Sequence, residues 1–236
     1  MTHTLLLLLK GPIQSWGDES RFSVRATGPH PTKSGVLGLL AAAQGRRRSD
    51  PIEDLAALRF AVRIDQSGSL LRDYQTAQPW QTRPDDSASL ITRYYLSDAI
   101  FVAAVESEEL ALLEGIAAAI KQPRFPLFLG RRSCPANPDL LLGIRDTDAV
   151  SALRNEPWHA AASYRRLLPT DVELTILRDG ADGEEGLLRR DVPESFAQED
   201  RRYRWRTVVR DRGTHIDNPH GHAEDRDPFF AAVISA

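Results

Sequence analysis

The stretch His3-Thr-Leu-Leu-Leu-Leu-Leu9 is an unbroken run of leucines near the start of the chain, and Gly11-Pro12 ends it. A short, continuous apolar run of this kind predicts a buried β-strand. The run is too short for the apolar region of a signal peptide, and far below the roughly 20 apolar residues that span a bilayer. Cys134 is the only cysteine, which excludes an internal disulfide. We therefore expect a cytoplasmic protein with no membrane segment.

Helix and strand patterns alternate along the chain that follows. Pro31 with Thr32 or Ser34 predicts the start of a helix that ends at Gly45. The predicted elements are helices at 35–44 and 107–121 and strands at 3–9, 58–65, 70–76, 99–105 and 125–129. This order suits an α+β fold, a ferredoxin-like βαββαβ domain over residues 1–145 in which two helices cover one face of the sheet.

The chain after residue 145 has a weaker periodicity. It predicts a helix at 147–155, a strand at 172–178, an acidic loop at 179–186 and a strand rich in Arg and aromatic residues at 201–210. We expect residues 146–236 to form a smaller, β-rich C-terminal part.

The formal net charge of −3 argues against a nucleic-acid-binding protein, but the charge is unevenly distributed. Residues 1–50 carry seven basic and three acidic side chains, residues 121–135 carry four basic and no acidic ones, and residues 182–200 carry seven acidic and two basic ones. A chain with segregated charge can have a basic face and remain acidic overall. Of the 30 basic residues 27 are Arg, whose planar guanidinium suits phosphates and bases, although a GC-rich genome also favours Arg.

The segment Gly28-Pro-His-Pro-Thr-Lys-Ser-Gly35 enters the first helix. Free N–H groups, the positive end of the helix dipole and Lys33 converge there, which predicts a phosphate-binding site for a polynucleotide. The segment is not a nucleotide-binding P-loop, because Thr32 replaces the second Gly and the two prolines lack the N–H groups that hold phosphates. The structural alternative is that Thr32 or Ser34 caps the helix and Lys33 is solvated.

Two further loops are bounded by glycine. In Gly130-Arg-Arg-Ser-Cys-Pro135, the glycine lets the backbone approach a ligand that two guanidinium groups can bind, and the alternative is a basic turn after a strand. In Gly11-Pro-Ile-Gln-Ser-Trp-Gly17, Gln14 can hydrogen-bond and Trp16 can stack on a base. The alternative for Trp16 is that it packs this loop onto the sheet.

Candidates for catalysis are few. Among the six histidines, His215, His220 and His222 lie near Asp217 in sequence and could indicate a metal site, but the surrounding charges favour incidental clustering. Cys134 has no neighbouring His that would activate it as a nucleophile. We therefore expect no metal, no cofactor and no catalytic residue.

Four segments carry a resemblance to a known family. They are Gly11-Pro-Ile-Gln-Ser-Trp-Gly17, Pro31-Thr-Lys-Ser-Gly-Val-Leu-Gly-Leu-Leu40, Leu71-Arg-Asp-Tyr-Gln-Thr76 and Phe128-Leu-Gly-Arg-Arg-Ser-Cys-Pro135. In order and spacing they resemble the CasD family, the RAMP-type subunit of the type I-E CRISPR Cascade surveillance complex. Each motif is weak alone, whereas the four in succession within residues 1–143 are specific. Beyond about residue 150 the resemblance is faint.

The resemblance implies an RRM-related, ferredoxin-like body with an extended thumb hairpin at about residues 77–97. It implies a non-catalytic subunit that binds the 5′ handle of the crRNA, caps a filament of CasC-type backbone subunits and contacts a CasA-type large subunit. Target DNA would be reached indirectly, through pairing with the guide. The residues expected to bind RNA are Gln14, Trp16, Arg25, Thr32, Lys33, Ser34, Tyr74, Gly130, Arg131, Arg132, Ser133 and Cys134. Those expected in the thumb are Trp80, Arg83, Arg93, Tyr94 and Tyr95.

Two other functions remain open. In the related type I-C system, the equivalent subunit resembles a metal-independent endoribonuclease that processes CRISPR repeat RNA with a Tyr, a Lys and a His. Here no Lys adjoins a His, and His30 near Lys33 is the one pair available for acid–base chemistry. The other alternative is a structural filament cap without RNA contact, which leaves the two basic segments unexplained.

Overall fold

The computed structural model describes residues 1–17, 24–78, 80–82, 85 and 87–222. The strands are β1 (His3–Lys10), β2 (Ile13–Gln14), β3 (Val24–Arg25), β4 (Arg59–Gln66), β5 (Ser69–Ala77), β6 (Ser89–Ser97), β7 (Ile100–Ser107), β8 (Leu141–Arg145), β9 (Asp171–Asp179), β10 (Leu187–Ser195) and β11 (Arg202–Asp217). The helices are α1 (Lys33–Ala43), α2 (Glu53–Ala56), α3 (Leu110–Lys121), α4 (Ala149–Asn155) and α5 (Ala162–Arg165). Within these described residues, no helix is long and apolar enough to cross a membrane.

Seven strands form one antiparallel sheet in the order β10-β11-β9-β4-β7-β1-β8. The leucines of β1 alternate between its two faces. Leu5, Leu7 and Leu9 pack with α1 and α3 on one face, and Leu6 and Leu8 pack with α4 on the other. Each fully buried Leu stabilises the fold by about 1.5–3 kcal/mol relative to exposure. The buried strand predicted from the leucine run is confirmed.

The succession β1-α1-β4-β7-α3-β8 places four strands side by side as β4-β7-β1-β8. Both α1 and α3 contribute to the same cluster of buried side chains. The mixed α+β class predicted from the sequence is confirmed. The ferredoxin-like assignment stays a prediction.

The C-terminal strands continue the same sheet. β9 pairs with β4 at three positions, and β11 and then β10 follow outward. The strand predicted at 172–178 is present as β9, and the one predicted at 201–210 is the first part of β11. β10 is absent from the sequence-based prediction because Leu187-Leu188-Arg189-Arg190 does not alternate between apolar and polar residues. The division of the chain at residue 145 stays a prediction.

The strand predicted at 125–129 is not formed. Phe128 makes an isolated bridge with Pro135, and the Leu129 N–H donates to the Cys134 carbonyl, which closes a turn. Pro126 has no N–H to contribute to a strand ladder. The last strand of the predicted order is β8, which pairs with β1.

Arg63 on β4 is fully buried, and its charge is compensated. Its Nε lies 2.7 Å from Oδ1 of Asp65. Its terminal nitrogens donate to the carbonyls of Leu153, Glu156 and Pro157, at the end of α4. These donors satisfy carbonyls that the end of a helix leaves unpaired. The contact fixes α4 and the chain after it to β4.

The thumb hairpin, residues 69–97, belongs to a second, smaller sheet. β5 and β6 pair along their full length, and β2 and β3 pair with the other side of β6. Tyr95 and Leu96 near its base are buried, whereas most of β5 is exposed. The segment predicted as the thumb, 77–97, therefore contains the connecting loop and β6, and β5 is the other arm.

Candidate nucleic-acid interface

Gly130 begins a tight turn, residues 128–135, that lies against the loop following β1. Its φ of 84° is in the left-handed region, and a Cβ atom would come within 1.7 Å of the Ser15 carbonyl oxygen. The N–H groups of Leu129 and Cys134 close the turn by donating to the carbonyls of Cys134 and Arg131. Both the backbone conformation and the close approach therefore require glycine here.

Arg131 joins this turn to the thumb hairpin. Its Nη1 donates to the Tyr94 carbonyl at 3.1 Å, and its Nη2 donates to the carbonyls of Arg25 and Ala26 at 2.9 and 3.1 Å. Its guanidinium carbon also lies 5.0 Å from the centroid of the Tyr95 ring, within range of a cation–π interaction. Arg131 thus fixes three segments relative to one another, and fewer of its donors remain for a phosphate.

Arg132, Ser133 and Pro135 are the exposed residues of the turn. No hydrogen bond or ion pair of the Arg132 side chain is seen within the described part of the chain, so its guanidinium faces solvent. Cys134 is fully buried, and burial raises the pKa of its thiol. The prediction that Cys134 contacts RNA is therefore wrong, because its side chain packs into the core.

The remaining predicted thumb residues have different positions. Trp80, in the connecting loop, is 69% exposed. Arg83 lies outside the described residues. Tyr95 is buried at the hairpin base; burial favours its neutral form, but hydrogen bonds from Ser133 and Arg93 outweigh that effect and lower the Tyr95 pKa. Tyr95 therefore connects the thumb hairpin to the turn, through Ser133 and Arg131, and Arg93 on the same strand is half-buried beside it.

One face of the thumb hairpin carries an Arg and two Tyr residues. Arg72 stands opposite Tyr94 and Tyr74 opposite Thr92, so alternation places all four on the same face. Arg72 is exposed, Tyr74 is 59% exposed and Tyr94 is half-buried. Sequence reasoning did not select Arg72. Its place two residues before Tyr74 on a strand is the signal that identifies it.

Gln14 and Trp16 belong to the core, contrary to the prediction that they contact bases. They are 0% and 1% exposed. Gln14 Nε2 donates to the carbonyls of Leu9 and Ala99 at 3.1 and 2.7 Å, and Gln14 Oε1 accepts from Trp16 Nε1 at 3.0 Å. Because these polar atoms are satisfied internally, neither side chain is available to a base. The alternative, in which Trp16 packs the loop onto the sheet, is the one observed.

The N-terminus of α1 is capped by Thr32. Its Oγ1 accepts a hydrogen bond from the Gly35 N–H at 3.2 Å, and the side chain is buried. Ser34 Oγ lies 3.4 Å from the same oxygen. Thr32 therefore has the structural role that the capping alternative described.

Two carboxylates from the C-terminal strands occupy the space in front of this helix end. The Lys33 N–H donates to Asp191 at 2.9 Å, and Lys33 Nζ donates to Asp179 at 2.9 Å. Arg206 contacts both carboxylates at 2.6–2.9 Å, which completes a charge quartet of Lys33, Asp179, Asp191 and Arg206. Burial favours the neutral acid, yet hydrogen bonds from Arg206 and Lys33 hold the pKa of Asp191 below its usual range. The anions at this helix end are therefore the protein's own, and Lys33 is not exposed to an RNA phosphate.

The histidines form no recognisable catalytic or metal site. His30 is 8% exposed; burial, and then the charge of Arg189, lower its pKa. His215 is exposed and lies 3.2 Å from Asp171. Among the described residues, no group of three His, Cys, Asp or Glu side chains is arranged to hold a metal ion.

We call the accessible candidates Arg25, Arg72, Tyr74, Tyr94 and Arg132 the thumb–turn surface. Arg72, Tyr74 and Tyr94 lie on one face of the hairpin, whereas Arg25, which pairs with Arg93, lies on the other face, where Tyr95 contacts the turn. Arg131 holds its parts together through the Arg25 and Tyr94 carbonyls. Guanidinium groups bind phosphates, and tyrosine rings stack on unpaired bases. This surface therefore has the chemistry needed to bind a single-stranded nucleic acid.

Comparison with known proteins identifies the family of this chain. The family described as CRISPR-associated protein (Cas_Cas5) matches residues 4–209. The Escherichia coli (strain K12) protein "CRISPR system Cascade subunit CasD" is 36% identical over 174 residues, 66% of this chain and 77% of that protein. A solved "CRISPR RNA-guided surveillance complex" has a TM-score of 0.74 at 30% identity over 98% of both chains, and a "Crystal structure of Cas protein" has 0.65 at 37% identity over 93% and 98%. The resemblance predicted from the four sequence segments is confirmed, and the chain belongs to the CRISPR-associated Cas5 family, together with the CasD subunit of Cascade.

Proposed function

We propose that this protein is a non-catalytic subunit of a cytoplasmic, Cascade-type CRISPR surveillance complex and that it binds the 5′ handle of the crRNA. Its relatives are named as a Cascade subunit and as part of an RNA-guided surveillance complex. The observation that supports the RNA-binding part is Arg131, which joins the turn to the thumb hairpin and to β3 through the Tyr94 and Arg25 carbonyls and so brings their exposed Arg and Tyr side chains together around one junction. In the complex we expect contacts with CasC-type backbone subunits at one end of the filament and with a CasA-type large subunit, and target DNA reached through the guide.

The body of this subunit is proposed to be ferredoxin-like and RRM-related. The adjacency β4-β7-β1-β8 and the packing of α1 and α3 into one cluster support that assignment. The thumb hairpin is an insertion between β4 and β7, the two middle strands of the βαββαβ order. A long hairpin inserted there can reach a bound RNA while the body packs against neighbouring subunits.

RNA binding is divided between the two parts of the thumb–turn surface. Arg25, Arg72 and Arg132 provide exposed guanidinium groups for phosphates. Tyr74 provides an exposed ring on which a base can stack, at about 1–3 kcal/mol per base. The exposed Ser133 hydroxyl can hydrogen-bond a ribose 2′-hydroxyl.

The non-catalytic part of the proposal is supported by the positions of His30 and Lys33. Metal-independent RNA cleavage needs a base for the 2′-hydroxyl and an acid for the leaving 5′-oxygen. His30 is buried with a lowered pKa, and the Lys33 ammonium is paired with Asp179. Neither group belongs to the thumb–turn surface, where RNA would bind.

The proposal is tested by purifying the assembled complex from cells that transcribe the matching CRISPR array. The RNA that co-purifies is sequenced from its 5′ end, and nuclease protection is mapped with and without this subunit. We expect one defined 5′ end, protected when the subunit is present. A guide whose 5′ segment is equally protected without the subunit contradicts handle binding, and cleavage of repeat RNA by the purified subunit contradicts the non-catalytic role.

A further inference from the structure

A second group of basic side chains lies at the C-terminal ends of α1 and α3. The Arg124 N–H donates to the Ala43 carbonyl at 3.0 Å, which places the segment after α3 against the end of α1. The Arg124 side chain lies over Gly45, where an added Cβ would come within 2.3 Å of Arg124 Cδ. Lys121, in the last turn of α3, and Arg124 are both exposed. The two helix ends therefore present neighbouring positive charges.

The positive charge continues from these helix ends to the start of β11. Arg47 and Arg48 follow α1 and are exposed. The charge of Arg48 acts on the Tyr203 hydroxyl, which also hydrogen-bonds Arg201. We call the continuous group Arg47, Arg48, Lys121, Arg124 and Arg201 the helix-end stripe.

The cations of this stripe are not neutralised by the protein's own carboxylates. Arg46, next to the stripe, is paired with Asp54. Within the part of the chain that the structure describes, none of the five stripe residues has an ion pair with a carboxylate. Asp50, whose carboxylate accepts a hydrogen bond from the Arg47 N–H, Glu53 and Glu199 are neighbours of the stripe in sequence and subtract three charges from its five, which leaves a positive balance. Uncompensated exposed cations of this density favour an anionic partner.

The stripe is separated from the thumb–turn surface by the length of α1. Gly35, at the start of α1, contacts Trp16, which in turn lies against the Gly130 turn. The eight steps from Gly35 to Ala43, the last residue of α1, span about 12 Å at about 1.5 Å per residue. The basic segments of the sequence are thus divided between two surfaces, with Arg25 and Arg132 at one and the helix-end cations at the other.

We propose that the helix-end stripe binds the phosphodiester backbone of a nucleic acid, at a site distinct from the one that holds the crRNA handle. Four of its five members are Arg, the side chain that matches phosphate geometry. A protein partner would need an apolar centre to its interface, whereas all five members of the stripe are charged and a single exposed large apolar side chain, Phe125, adjoins Arg124 in sequence. Phosphate contacts need only cations and carry no sequence requirement. Two sources offer this chemistry: duplex DNA beside the complex, and a single-stranded stretch of RNA beyond the handle.

The test compares two triple substitutions that remove the same charge from the full-length protein. The stripe variant is Arg47→Gln, Arg48→Gln, Arg124→Gln; the control, Lys10→Gln, Arg166→Gln, Arg212→Gln, removes exposed cations elsewhere. The probes are a DNA duplex of about 30 base pairs and a single-stranded RNA of about 30 nucleotides, both of unrelated sequence, titrated from about 50 to about 200 mM salt.

We expect the stripe variant to reduce the slope of log affinity against log salt concentration. The reduction should be roughly 0.9 per lost phosphate contact on the duplex or roughly 0.7 on the single strand, while the control keeps the parent's slope. The probe that responds identifies the source. Equal effects of the two variants, or no effect on either probe, overturn the proposal. A second variant, Arg47→Lys, Arg48→Lys, Arg124→Lys, retains the charge and is expected to bind; its failure, with an unchanged melting temperature, also overturns the account. Binding of the crRNA handle is measured in parallel and is expected to be unchanged. The test of the stripe is therefore independent of the test of handle binding.

Discussion

Lys33 and Asp179 form an ion pair that joins the start of α1 to the end of β9. The Nζ and Oδ2 atoms are 2.9 Å apart, and the side chains are 7% and 15% exposed. The two residues are 146 positions apart in the chain. The pair therefore ties the N-terminal helix to the C-terminal strands, and the packing of α1 depends on both.

Replacement of Lys33 should destabilise the fold more than it affects RNA binding. Lys33→Met leaves the largely buried Asp179 carboxylate with only Arg206 as a counter-charge and the Phe60 N–H as a further donor, and we expect a loss of roughly 3 kcal/mol in the free energy of unfolding. For a chain of this size that loss lowers the melting temperature by roughly 6–12 °C. Lys121→Met, at an exposed position, is the control and should change stability by less than about 0.5 kcal/mol. Equal melting temperatures of the two variants would show that the pair contributes nothing.

Gly130 and Gly183 provide a matched test of the turn. Both have positive φ values, 84° and 79°, but a Cβ at Gly183 meets no atom within 4 Å, whereas one at Gly130 meets the Ser15 carbonyl. Gly183→Ala should lower the free energy of unfolding by about 1–2 kcal/mol, from backbone strain alone. Gly130→Ala should cost at least about 2 kcal/mol more, because the backbone must also move. Chemical denaturation measures the free energy of unfolding of both variants. An equal loss in the two would contradict the close approach of Gly130 to the Ser15 carbonyl.

His30 should make stability depend on pH below neutrality. Burial and Arg189 lower its pKa, so the unfolded chain binds a proton more readily than the folded one. The stabilisation is therefore full above the ordinary His pKa near 6.5 and is lost as the pH falls from there through the lowered pKa. Over that range the free energy of unfolding changes by at most about 1.4 kcal/mol per pH unit. His30→Asn should flatten the unfolding free energy between about pH 5 and 7, and His220→Asn, which is exposed, should not. The same slope in both variants would rule out His30 as the source.

The loop of the thumb hairpin should be needed for protection of the guide but not for folding. The described residues of 78–88 are all exposed, so replacing them with a short Gly-Ser linker should keep β5 and β6 paired. In the assembled complex we expect new nuclease sensitivity of the guide near its 5′ end. Trp80→Ala should reproduce part of this effect, whereas Trp205→Ala, an equally exposed Trp on β11, should not. Full protection by the shortened protein would mean that the loop does not contact RNA.

The parts of the fold that the sequence predicts are those set by local pattern. The leucine run of β1, the helix begun by Thr32 and the two strands around Ser67-Gly68 depend on residues close together in the chain. Local pattern does not predict the burial of Lys33, because its partners Asp179 and Asp191 come from strands far along the chain that meet α1 only in the folded protein.

The candidate site likewise contains residues whose exposure follows from local pattern and residues whose position depends on distant parts of the chain. Tyr74 and Arg132 are exposed strand and turn positions, so their accessibility fits the predicted RNA contact, which stays a prediction. Gln14 and Trp16 are not exposed, because the space that Trp16 fills is created by Gly35 and Gly130, which lie far along the chain. Arg72 was not selected from the sequence, although its place two residues before Tyr74 on a strand puts both side chains on one face, as the register opposite Tyr94 shows.

The measurement that tests handle binding most directly is the salt dependence of affinity for a single-stranded RNA carrying the repeat-derived 5′ segment. The variant Arg25→Gln, Arg72→Gln, Arg132→Gln removes the three exposed guanidinium groups of the thumb–turn surface and leaves Arg131 in place. At about 0.7 per phosphate contact on a single strand, the account predicts a slope lower by roughly 2 and a weaker affinity. The charge-matched variant Lys10→Gln, Arg166→Gln, Arg212→Gln is predicted to keep the parent's slope. Identical slopes and affinities for the two variants would contradict the assignment of this surface to the crRNA handle.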